Sequence, residues 1–161
     1  VLAIPHGSNL ALGLMFDDVT YTTKKPIDRA YAERRMKWEP LYEVTQMKGD
    51  AEAHPALSPN DEFAGFEVWD RGSFGAGVHT PDMLPKEYAR EVLKRGLAYE
   101  QSIGSNPFKF GMVGSTDAHT SLSTTQGPAI RKKGWSRPAS NPQSFICSRP
   151  ADWPAPRSRR M

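Results

Sequence analysis

The sequence predicts an α/β fold, and three observations predict it. Residues 85–103 carry an apolar stripe at helical spacing and are followed by a short apolar run, Phe108-Lys109-Phe110-Gly111-Met112-Val113, that reads as a buried strand. Residues 26–38 have helical patterning and lead into Leu41-Tyr42-Glu43-Val44-Thr45-Gln46, which alternates and carries β-formers. Chemically capable side chains then stand where strands stop: His6 after an opening apolar run, and Asp117 and His119 after residues 108–113. Helix followed by strand, with chemistry at the carboxyl end of the strand, is α/β logic.

Taken in order, Val1-Leu2-Ala3-Ile4 reads as a short buried strand, and Pro5 is expected to stop regular pairing just before His6. Gly7-Ser8-Asn9 makes a tight turn. Asn9 is placed to orient a ligand or a phosphate oxygen, although Asn in a turn is by default turn chemistry. Asp17 and Asp18 read as solvated surface. Residues 26–38 form a helix with Pro26 at its first turn, and Pro40 ends it. The strand over residues 41–46 runs into Lys48-Gly49-Asp50-Ala51-Glu52-Ala53-His54. That stretch reads either as a polar loop or as a substrate-facing one, with Lys48 meeting an anion and Glu52 or His54 acting on a proton or metal.

Residues 72–81 are a Gly-rich loop containing His79, which is expected to be exposed; no Lys-Ser/Thr follows in the manner of a phosphate-binding loop. In the helix over residues 85–103, Tyr88, Ala89, Val92, Leu93, Leu97, Tyr99 and Ile103 form the apolar face, and Gly104 is a natural stop. The strand over residues 108–113 then delivers Asp117 and His119. A carboxylate oxygen and an imidazole nitrogen at a strand end suit a divalent metal such as Zn or Mn.

Composition bounds the rest. The 161 residues allow one ordinary domain, and 38% hydrophobic content with 13 Gly and 14 Pro makes a loop-rich chain. A single Cys excludes an internal disulfide framework and any Cys-rich zinc module. No apolar run is long enough to span a bilayer, and no signal peptide opens the chain. The chain begins inside a strand without an initiator Met, so a fragment of a longer protein is expected. The net charge of +3 is uneven: residues 125–161 hold eight basic side chains against Asp152, whereas the remainder holds 13 basic and 17 acidic groups. A mildly acidic body argues against nucleic-acid binding through it. Residues 125–161, rich in Pro, Ser and Arg without periodicity, read as a disordered or non-native tail.

Several segments together resemble one family. They are Ile4-Pro5-His6-Gly7-Ser8-Asn9-Leu10, Ala30-Tyr31-Ala32, the run from Glu39 to Gly49, Glu52-Ala53-His54-Pro55, Pro59-Asn60-Asp61-Glu62-Phe63-Ala64, Asn106-Pro107-Phe108-Lys109-Phe110-Gly111 and Gly114-Ser115-Thr116-Asp117-Ala118-His119. Over residues 1–124 the chain resembles the bacterial domain of unknown function 3604, a family similar to the polymerase-and-histidinol-phosphatase (PHP) metallohydrolases. The resemblance implies a partial distorted β/α barrel, with two or three divalent metals (Zn, Mn or Fe) at the carboxyl ends of its strands. It implies His6, Asp117 and His119 as metal ligands, and Lys48, Glu52 and His54 as site residues with unassigned roles. The superfamily's opening His-x-His motif has no counterpart and would lie before Val1.

The resulting expectation is metal-assisted hydrolysis of a phosphate ester by an activated water. His6, Asp117 and His119 would hold metal, Lys48 and Asn9 would meet the substrate, and Glu52 or His54 would relay protons. A sulfate ester has similar shape and stands as an alternative substrate. Two competing readings remain: a catalytically incomplete fragment that binds metal weakly, and a nucleic-acid binder acting through the basic tail, whose binding would fall with salt.

Overall fold

The computed structural model describes residues 2–115 and residue 117. Within them a three-stranded sheet and two helices form a mixed α/β arrangement. The helices are α1 (Arg29–Trp38) and α2 (Ala89–Ile103); the strands are β1 (Leu41–Gln46), β2 (Gly49–Asp50) and β3 (Gly111–Gly114), in sheet order β2-β1-β3. β1 and β3 run parallel with Leu41 opposite Gly111, and β2 folds back on β1 with Gln46 opposite Gly49. Among the described residues the sheet stays open, so they do not complete a barrel. His119 and residues 125–161 lie outside the described residues.

The opening segment also runs along β1 in the parallel sense. His6 bridges Glu43, and the Pro5 carbonyl accepts the Glu43 N–H at 2.9 Å. Pairing therefore continues past Pro5 instead of stopping there, because proline lacks only the donor and its carbonyl still accepts. Three parallel segments thus bring their carboxyl ends to one side of the sheet.

β1 has the bounds that its alternation predicts. α1 starts three residues later than Pro26, because the Asp28 side chain accepts the Tyr31 N–H at 2.7 Å and so caps the helix. Pro26 instead pairs with Val19 across a small bridge. The helix predicted over residues 85–103 is divided: a single 3-10 turn, Leu84–Lys86, is followed by extended Tyr88 before α2 begins. The break has a cause. The N–H groups of Ala89 and Arg90 donate to the carbonyls of Ala51 and Glu52 at 2.8 and 3.0 Å, which satisfies orphan donors of the helix start and pins α2 to the loop after β2. Gly104, at φ 72°, closes the helix as expected.

The core gathers Phe16, Ile27, Ala32, Tyr42, Ala51, Ala89, Val92 and Phe108. Phe16 is its centre, edge-on to Tyr42 and Phe108 with ring centroids 5.2 and 5.6 Å apart. The Arg35 guanidinium of α1 lies 5.1 Å from both the Phe16 and Phe108 rings and donates to the Met15 carbonyl. Phe108 is therefore a core residue ahead of β3, held where Asn106 Oδ1 accepts its N–H at 2.8 Å. β3 itself differs from the buried strand predicted: Met112 and Val113 are 51% and 40% exposed, because β3 is the outer strand of the described sheet.

The Gly-rich loop is a strap rather than a free excursion. The Phe74 N–H donates to the Leu10 carbonyl, and His79 Nδ1 stands 3.3 Å from Glu87 Oε2. Glu87 is fully buried, and burial raises its carboxyl above the usual range against the opposing pull of His79 and the Gly13 N–H. The His79 side chain is only 15% exposed, which corrects the expectation that it faces solvent.

Candidate functional site

The polar side chains at the carboxyl ends of the parallel segments converge on Glu43. His6 is its bridge partner on one side. On the other, the Ser115 N–H donates to the Thr45 carbonyl past a register shift in β1, two residues before Asp117. Asp117 has φ 47°, in the left-handed region that Asp tolerates better than most side chains. Lys48 sits in the two-residue turn between β1 and β2 and forms an ion pair with Asp117 Oδ2.

That turn is tightly specified. Gly49 adopts φ 109°, and a Cβ there would lie 2.5 Å from Trp69 Cβ, so no other residue fits without displacing Trp69. Asn9 is buried beneath the turn, and its Nδ2 donates to the Lys48 carbonyl at 3.1 Å and the Trp69 carbonyl at 2.7 Å. Asn9 therefore positions the backbone of Lys48; its amide nitrogen is spent on that scaffold.

Burial raises the Glu43 carboxyl, Asp117 raises it further, and His6 and Lys48 pull it down. These influences place His6, Glu43, Lys48 and Asp117 in one electrostatic group. Glu43 Oε1 is buried with no hydrogen-bond partner among the described residues. The Gln46 side-chain amide meets His6 Nδ1 at 3.1 Å, while Gln46 Oε1 is likewise buried without a partner among the described residues. With the amide turned over, Oε1 would accept from Nδ1–H, and the lone pair on His6 Nε2 would be free for a metal.

Two residues named from sequence face elsewhere. Glu52 pairs with Arg90 of α2 at 2.9 Å, and Arg90 also holds Asp61. His54 accepts the Ala56 N–H on Nδ1, lies 3.4 Å from Asp70 through Nε2, and packs on the Tyr88 ring at 4.9 Å. Glu52 thus anchors the loop after β2 to α2, while the polar contacts of His54 are to Ala56 and Asp70. His6, Lys48 and Asp117 are brought together, and sequence reasoning missed the two residues that join them, Glu43 and Gln46. A signal existed for Glu43: a carboxylate inside a strand of a parallel sheet is unusual, since such strands tend to be apolar throughout.

An imidazole and two carboxylates are donors that divalent Zn or Mn accepts, and the unpartnered Glu43 Oε1 is a buried acceptor that a cation would satisfy. Among the described residues no three such donors stand close enough together to hold an ion as they are. The donor types fit; at Asp117 the cation now in contact is the ammonium of Lys48.

A family model described as a protein of unknown function, DUF3604, matches residues 1–146. The chain belongs to the DUF3604 family. The match covers the whole described site and runs past residue 124 into the Pro/Ser/Arg-rich segment. No curated protein and no solved structure matches this DUF3604 chain. No helix among its described residues is long and apolar enough to cross a membrane.

Proposed function

We propose that this DUF3604 chain carries part of the active site of a metal-dependent hydrolase of phosphate esters. The observation that carries the reading is the grouping of His6, Glu43, Lys48 and Asp117 at the carboxyl ends of parallel segments, where α/β folds place their chemistry. The resemblance to PHP metallohydrolases supports the same reading. His6 and Asp117 would hold a divalent metal, with His119 two residues further on and Glu43 beside them. Bound there, a metal would lower the pKa of a coordinated water and supply hydroxide at neutral pH. Gln46 orients the His6 ring, and Asn9 fixes the turn from which Lys48 would meet the substrate's anionic oxygens. Glu52 and His54 are left out of the chemistry, since Arg90 and Asp70 engage them.

A second reading is favoured by the exposed face of β3: the chain binds metal yet does not turn substrate over by itself. One experiment addresses both. The chain is loaded with Mn or Zn, its metal content measured, and p-nitrophenyl phosphate, bis-p-nitrophenyl phosphate and p-nitrophenyl sulfate are offered. Metal-dependent release from a phosphate ester, abolished in His6→Ala and Asp117→Asn, is the expected result. Release from the sulfate alone would move the substrate class. Metal bound without turnover would establish the second reading, and no metal retained would defeat both.

A further inference from the structure

We infer that Lys48 is a tethered counter-cation that holds Asp117 in the metal-free chain and has to leave it before a divalent cation can take that carboxylate. The inference rests on the metal-site reading above and deepens it, because it sets an order: metal first, anionic substrate second. Two observations carry it. The Lys48–Asp117 pair is largely withdrawn from water, the two side chains being 13% and 18% exposed, so solvent and salt weaken it far less than a surface pair. The lysine does not arrive there by a wandering side chain: its backbone is clamped by the Asn9 amide below and by the Gly49 turn against Trp69.

The consequence is a competition. Any cation that takes Asp117 breaks a shielded ion pair, and its apparent affinity falls by the strength of that pair. Nor can Lys48 serve a substrate anion while its ammonium is committed to Asp117. Metal binding would free it, at the moment when an anionic oxygen has a reason to enter.

The 161-residue chain, stripped with a chelator, is titrated calorimetrically with zinc chloride as wild type, Lys48→Met, Lys48→Arg and His6→Ala. Lys48→Met is expected to bind zinc at least about tenfold more tightly than wild type, the competitor for a shielded carboxylate having been removed. Lys48→Arg is expected to bind as wild type does or more weakly, because a guanidinium re-forms the pair. A second measurement avoids any folding defect of the variants: in the unaltered chain, the nitrogen resonance of the Lys48 ammonium should shift in proportion to zinc bound. Equal or weaker zinc binding by Lys48→Met, or an ammonium resonance that ignores bound zinc, overturns the inference. If zinc binds and His6→Ala abolishes it while Lys48→Met changes nothing, only the counter-cation role falls. If no variant binds zinc, the metal-site reading falls with it.

Discussion

At the scale of single residues, the most informative group outside the site is Asp50 on β2. Burial pushes its carboxyl up to about 7, although the N–H groups of Glu52 and Ala53 pull the other way and Glu52 adds repulsion. In the unfolded chain the same group would lose its proton near 3.8. Between those values the native state therefore holds more protons than the unfolded one, and stability falls as pH rises, by up to about 1.4 kcal/mol per pH unit for one proton. The contribution is fully present below the unfolded value and is gone once pH has risen through the folded one. Urea unfolding of wild type and Asp50→Asn between pH 4 and 8 isolates it, since the other titrating groups cancel in the difference. Wild type should lose stability relative to the variant across that window; a difference that stays level with pH would refute the assignment. Nothing in the sequence singles out Asp50, because a carboxylate's burial depends on what packs over it. The same holds for Glu87 and His79, which adjoin only after the Gly-rich loop straps across the segment containing Leu10.

At the scale of elements, periodicity was a good guide where a face is one-sided and a poor one where tertiary contacts set an end. β1 could be bounded from its alternation. The start of α1 could not, because Asp28 and Pro26 are both acceptable openings and the cap that forms decides. In α2, Leu97 continues the apolar spacing yet is 64% exposed, while Gly96 beside it is buried. The reason is close approach: a Cβ on Gly96 would lie 2.3 Å from Asn106 Oδ1. Two effects of Gly96→Ala therefore oppose each other. Helix propensity favours alanine by about 1 kcal/mol. Against it, Asn106 is buried and its Oδ1 is committed to the Phe108 N–H, so it can move only by giving up the bond that sets Phe108 in the core. Overpacking of this kind costs about 1–3 kcal/mol, and loss of a buried hydrogen bond adds to it. Gly96→Ala should be destabilising by denaturant titration, contrary to its helix propensity; a gain in stability would show that Asn106 can yield.

At the scale of the whole molecule, the α/β class and the positions of His6 and Asp117 just beyond parallel segments were legible because they follow from the order of periods along the chain. The grouping of His6 with Glu43 and Asp117 was not, since it depends on which strands are neighbours, and a sequence states only which strands exist. Phe16 shows how these neighbours are held. It is buried in a loop that no period marks, and it touches Tyr42 of β1, Phe108 and Phe110 ahead of β3, and Arg35 of α1. One side chain therefore ties the strand carrying Glu43 to the strand leading to Asp117. Truncation of a buried Phe to Ala costs about 3–5 kcal/mol, a large share of the 5–15 kcal/mol, roughly, that holds a typical domain together. Phe16→Ala should lower the unfolding free energy from urea titration by that amount, and amides of Ala32, Tyr42 and Val92 should lose hydrogen-exchange protection together, because α1, β1 and α2 share the core it centres. If protection fell in β1 alone while α1 and α2 kept theirs, the sheet and the helices would be separate cooperative units, and Phe16 would be a local support of the strand ends.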